Sequence, residues 1–161
     1  MALSIESAAA DSKTHCTANE TIFFSCPLAQ SQKVVSLCGG SSESDRISWV
    51  QYRFGKVGQP EMIYPPKKNK SLKKFAGIYQ TAKAIGLEIR EVWFRVGIYS
   101  YLIVHVSGGD RAPDPPHEDN DLVVFRDDRH LVAKFSCTQP VVNRLFELDG
   151  HMSDDQTGRP G

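Results

Sequence analysis

Long apolar runs are missing from this sequence, and none approaches the roughly 20 residues that a membrane-spanning helix needs. An excess of one charge sign is missing too. The 19 Lys and Arg residues are balanced by 19 Asp and Glu, which removes the electrostatic footprint expected of a protein whose main partner is nucleic acid or an anionic membrane surface. There is no Cys-x-x-Cys, no glycine-rich phosphate loop and no Gly-x-Ser-x-Gly elbow. His15, His105, His117, His130 and His151 are scattered, with no two spaced to share a helix or strand face as zinc ligands. Asp110, Asp114, Glu118, Asp119 and Asp121 cluster around Pro113, Pro115 and Pro116, without the alternating carboxylates and central glycine of a calcium loop. The expectation is a protein that is not an enzyme and takes no metal or cofactor.

What the chain does have is four cysteines, Cys16, Cys26, Cys38 and Cys137, in 161 residues. Without zinc spacing they read as two disulfides, which form in oxidising compartments. The N-terminus agrees with export, since Ala2, Leu3 and Ile5 lead into Ser7-Ala8-Ala9-Ala10, small residues of the kind a signal peptidase accepts, before a polar stretch from Asp11. A periplasmic or secreted location is expected. Residues 1–15 are read as a residual, disordered leader, 16–150 as one β domain and 151–161 as a frayed polar tail. A domain of this size buries about two-thirds of its unfolded surface, so cross-links reinforce a core and do not replace one.

Short β-branched and aromatic runs recur between turn residues at 21–26, 33–38, 47–54, 61–64, 87–94, 99–106, 122–125 and 131–137. About eight strands at this spacing predict a mostly β protein, an antiparallel barrel or sandwich. In 47–54, Val50, Tyr52 and Phe54 share a face with Ser48, while Ile47 and Trp49 lie opposite, a mixture that predicts cover on both sides. In 99–106, Leu102, Val104 and Val106 oppose Tyr99, Tyr101, Ile103 and His105. Arg95-Val96-Gly97-Ile98 and Arg126-Asp127-Asp128-Arg129 read as hairpin connections. One C-terminal helix is predicted over 140–148, where Val141, Val142, Leu145, Phe146 and Leu148 form an apolar stripe between Pro140 and Gly150. Residues 76–85 fit a short helix or an extended edge equally well.

The four cysteines allow three pairings. A strand ending at Pro27 and a partner starting at Lys33 put Cys38 across from about Thr21, which favours Cys16 with Cys38 and Cys26 with Cys137. A wider hairpin turning near Ser31 would instead face Cys26 with Cys38 and leave Cys16 to Cys137.

The segments Ser25-Cys26-Pro27, Ser36-Leu37-Cys38, Tyr52-Arg53-Phe54-Gly55 and Ile63-Tyr64-Pro65, continued by 94–101 and Cys137, resemble a group of small exported proteobacterial proteins over roughly residues 20–140. A fainter similarity, through Cys26, 97–101 and Cys137, is to periplasmic inhibitors of lysozyme, small disulfide-linked β-barrels. Those inhibitors insert a serine- and glycine-rich loop into the enzyme cleft. Arg95-Val96-Gly97-Ile98 has no serine, so the resemblance implies fold and compartment and transfers no inhibitory residue.

Two surface features invite a partner: the basic run Lys67, Lys68, Lys70, Lys73 and Lys74, and the acidic, proline-rich connection over 107–120 with Asp110, Asp114, Glu118 and Asp119. The expected function is a protein-binding module, monomeric or weakly dimeric, that inhibits or neutralises a cell-wall-directed or other periplasmic toxin enzyme by loop insertion. One alternative is an envelope protein holding glycan or a small apolar ligand in a barrel lined by Tyr52, Trp93 and Tyr101. Another is a hydrolase whose site would join His105 or His130 to a carboxylate and a serine.

Overall fold

The computed structural model describes residues 13–41, 46–109, 117–153 and 158–161. Its strands form two antiparallel five-stranded sheets that stack as a sandwich and do not close into a barrel. The first sheet contains β1 (Thr21–Pro27), β2 (Lys33–Ser41), β3 (Ile47–Lys56), β4 (Gln59–Tyr64) and β10 (Val142–Asn143) in the order β10-β1-β2-β3-β4. The second is a meander of β5 (Ala76–Ala82), β6 (Leu87–Val96), β7 (Tyr99–Ser107), β8 (Glu118–Arg126) and β9 (His130–Ser136). All eight runs seen in the sequence are strands, and both short connections are hairpins.

Alternation decides the core. In β6, Val92 and Phe94 face the first sheet and join Phe24, Leu37, Tyr52, Phe75 and Ile103. Phe94 is the hub of that layer: its ring stacks on Tyr64 at 4.6 Å and Tyr101 at 5.1 Å, and meets Tyr52 at 4.8 Å. Trp93 points the other way and packs with Leu102 and Val123 on the outer face of the second sheet. The interior is therefore filled by interlocking rings, and Trp93 does not share a lining with Tyr52 and Tyr101.

β3 is covered on both faces, as its mixed pattern predicts: Val50, Gln51, Tyr52 and Arg53 are all buried. Residues 13–20 cross the outer face of the first sheet. Ser25 Oγ donates to Lys13 O at 3.1 Å, His15 N–H donates to Ser36 Oγ at 3.1 Å, and Cys16 is bonded to Cys38. The second disulfide joins Cys26 to Cys137 across a sequence separation of 111. Of the two registers open in the sequence, the tight one holds, with Ile22 opposite Cys38 and a bulge between Ile22 and Phe24.

The segment 140–148 is not the helix its apolar stripe predicts. Val142 and Asn143 extend to pair with Ser25 and Phe24, and only Leu145–Leu148 turn, as a 3₁₀ helix. Adding a strand to β1 demands extended backbone at Val142 and Asn143, of which Val142 is β-branched and suited to it, and too few residues remain for an α-helix. Asn143 Oδ1 accepts from Leu145 N–H at 3.2 Å to start the turn, which buries Leu145 and Leu148 three residues apart. Residues 76–82 take the extended alternative, with a 3₁₀ turn over Lys83–Ile85.

At the chain's end, expected to fray, the described residues carry defined contacts. Ser153 bridges Ala76, Arg159 pairs with the buried Glu91 at 2.5 Å, and Gly161 N–H donates to Asp128 O at 2.9 Å. These contacts border the outer apolar patch around Trp93. Residues 1–12, where most of the expected leader falls, lie outside the described residues.

Candidate protein-contact site

At one side of the sandwich the two sheets splay and leave an apolar cleft of about 440 Å³. β3 and β4 supply Tyr52, Phe54 and Met62, and β7 and β9 supply Tyr99, Tyr101 and Phe135. Each is placed by strand alternation: Tyr52 and Phe54 are two residues apart on one face, as are Tyr99 and Tyr101. Phe54 and Phe135 span the gap with ring centroids 6.4 Å apart, and deeper in, Tyr52 and Tyr101 do so at 6.0 Å. Lys33 closes the rim, its Nζ 2.8 Å from Glu61 and 5.2 Å from the Phe54 ring centre.

Burial pushes the Tyr52 phenol up, with the neighbouring Tyr101 adding to the effect, and burial raises Tyr101 and Tyr64 as well. All three stay neutral at ordinary pH, so Tyr52 and Tyr101, the two that line the cleft, present uncharged, polarisable rings there. Apolar side chains are also left in solvent on β9 and at the β6–β7 hairpin tip: Leu131, opposite Phe125 on the outer face, is 61% exposed, Ile98 55% and Val132 54%. Val132 lines the cleft itself.

The basic run of the sequence sits elsewhere, on the connection between β4 and β5. Lys68 Nζ lies 2.9 Å from Glu20 and 4.2 Å from the Trp49 ring centre, so this lysine serves the fold. Glu20 in turn receives both Nη atoms of Arg53, at 2.7 and 2.8 Å. Arg53 also donates to Gln51 Oε1 and to His15 O, and Gln51 Nε2 donates to Pro65 O. Burial alone would raise the Glu20 pKa, but the hydrogen bonds from Arg53, Thr17 and Lys68 win and bring it down to about 2. Lys67 lines an open cleft of about 770 Å³ with His15, Arg53 and Ile63. Lys70 takes a left-handed conformation before the 3₁₀ turn Ser71–Lys74, which carries Lys73 and Lys74 in solvent. The structure thus spreads the five lysines over several roles.

Of the acidic candidates, Asp110 and Asp114 lie outside the described residues. Glu118 and Asp119 are exposed at the start of β8, opposite Ser107 and Val106. His105 is buried and its Nδ1 lies 2.9 Å from Asn120 Oδ1, while Ser100 Oγ donates to Asp128, which also pairs with Arg95. These are two separate polar networks. The described residues bring Cys16, Glu20 and Cys38 within metal-ligand reach of one another, but both sulfurs are spent in a disulfide and Glu20 is held by two cations.

Sequence reading missed the cleft and the Arg53 network. The period-2 placement of Tyr52 with Phe54 and of Tyr99 with Tyr101 signals aromatic faces, yet which ends of two sheets splay is a tertiary property. Arg53 beside Gln51 inside an apolar strand was the readable hint of a buried polar layer. No family model matches the chain, and no curated protein or solved structure is significantly similar to it. Two disulfides fit an extracytoplasmic protein. No helix among the described residues is long and apolar enough to cross a membrane.

Proposed function

We propose that this protein is an exported binding module that inhibits or neutralises a cell-wall-directed or other periplasmic enzyme by seating part of that enzyme against the aromatic cleft. The observation that carries the reading is the open aromatic cleft between the sheets, with the exposed apolar Val132 in its lining. Contiguous apolar surface held on a rigid sheet is the usual mark of a protein contact. Cross-linked strands preorganise that surface, so binding loses little to ordering. The resemblance to small exported proteins, and faintly to lysozyme inhibitors, supports the fold and the compartment.

The test is inhibition. Purified protein is titrated against a panel of peptidoglycan hydrolases and secreted effectors from the same genome, alongside Val132→Glu. The reading expects one enzyme to lose activity at stoichiometric protein and to recover at least tenfold with the variant, since burying one unpaired charge costs well over 1.4 kcal/mol. Full activity across the panel would sink it.

A second reading is supported by the ring lining alone: the cleft holds a sugar ring or a small apolar ligand. Tyr101→Ala would then abolish binding while Ile98→Glu, at the exposed hairpin tip, would leave it unchanged.

A further inference from the structure

A sheet edge exposes unpaired backbone donors and acceptors, and proteins blunt such edges with charge, proline, bulges or shortness. Three of the four edges here follow that rule. β4 carries Pro60 and Glu61. β9 carries Lys134 and, at Val132, an extra residue relative to β8. β10 is only two residues long.

β5 does not follow it. Its sequence, Ala-Gly-Ile-Tyr-Gln-Thr-Ala, has neither charge nor proline, and β6 pairs with one side of it along its whole length. On the other side Ser153 bridges Ala76 in parallel and accepts from Gly77 N–H at 2.9 Å. Among the described residues, no strand pairs with that side past Gly77. Among the described residues, the edge thus accepts one strand-like rung and is open along the rest of its length.

Both faces beside the open stretch are hollow. On one, a cleft of about 400 Å³ is lined by Gln80, Ala82, Leu87 and Ile89. On the other, a cleft of about 490 Å³ is lined by Tyr79, Arg90, Leu148 and Met152. There the Arg90 guanidinium lies 4.0 Å over the Tyr79 ring and 3.3 Å from Asp149. An added strand would point alternate side chains into the two clefts in turn, the arrangement by which strand addition combines backbone affinity with side-chain selectivity.

We propose that residues 78–82 accept an extended segment of a partner protein as a sixth strand, a segment uncharged over the paired residues and rich in β-branched side chains. The strand's own lack of charge selects this chemistry, because a charge opposite Ile78 or Gln80 would find no counter-ion on β5. The apolar cleft with Leu87 and Ile89 takes an aliphatic side chain, and the Tyr79 ring takes its neighbour on the opposite face.

Amide exchange on the full chain tests this. The probe is a soluble peptide of alternating valine and threonine between terminal lysines, with a control peptide carrying a central proline. The expected result is slower exchange at residues 78–82 with the first peptide and none with the second. Thr81→Lys and Gln80→Lys, both at exposed positions, should each weaken binding about tenfold or more, with circular dichroism confirming the fold. Lys134→Thr on β9 should leave binding unchanged. The proposal is overturned if exchange at 78–82 is unaffected, if both lysine variants bind like the wild type, or if sedimentation shows the chain pairing with itself through this edge without peptide.

Discussion

Glu20 and Arg53 form the ion pair on which the outer face of the first sheet is organised. Both side chains are about nine-tenths buried, and Arg53 spends its donors on Glu20, Gln51 and His15. Removing one partner of such a pair strands the other in a poorly solvated site. Glu20→Gln is expected to lose about 3 kcal/mol in urea denaturation at pH 7, and Lys68→Ala less than about 1 kcal/mol, because Lys68 is half exposed and salt-screened. The acid dependence has a definite sign. The folded-state pKa of Glu20 lies below its unfolded value of 4.5, at about 2, so its contribution is full above about pH 4.5 and is lost as pH falls through 2. Denaturation midpoints measured from pH 6 down to pH 2 should fall in the wild type and stay flatter over that window in Glu20→Gln.

The strands were legible wherever two residue types alternated, and the elements that escaped are those fixed by distant partners. β3 announced itself through Val50, Tyr52 and Phe54, and its two-sided cover through Ile47 and Trp49. β5 could not be distinguished from a helix because Ala-Gly-Ile-Tyr-Gln-Thr-Ala lacks a polar alternation, and only β6 decides it. The segment from Pro140 failed more deeply: its 3.6-like stripe is real, but Val142 and Asn143 complete β1 instead. The aromatic cleft was half legible, its rings readable from spacing and its opening set by the splay of two sheets. Backbone constraint acts at this scale too. Gly55 has φ +138°, and a Cβ there would lie 2.6 Å from Glu61 N and 2.8 Å from Gln59 O at the β3–β4 bulge. Gly55→Ala should destabilise by about 2–3 kcal/mol, read from a shifted chemical-denaturation midpoint.

At the scale of the whole molecule, two cross-links do different jobs. Cys16–Cys38 fastens residues 13–20 over one sheet, whereas Cys26–Cys137 ties β1 to the chain leaving β9 and so joins the two sheets at one side. The long loop closed by the second, with Cys26 fully buried, implies that Cys137→Ser costs about 2–5 kcal/mol, seen as a lower melting temperature under non-reducing conditions. The proposed binding surface, lined by strands of both sheets, keeps its shape only while they are held in register. Thiol titration of the protein from its native compartment, unfolded in denaturant without reductant, tests this most directly. The account predicts no reactive thiol until a reductant is added and four afterwards. Four thiols before reduction would contradict it and remove both the bracing and the extracytoplasmic placement on which the binding role depends.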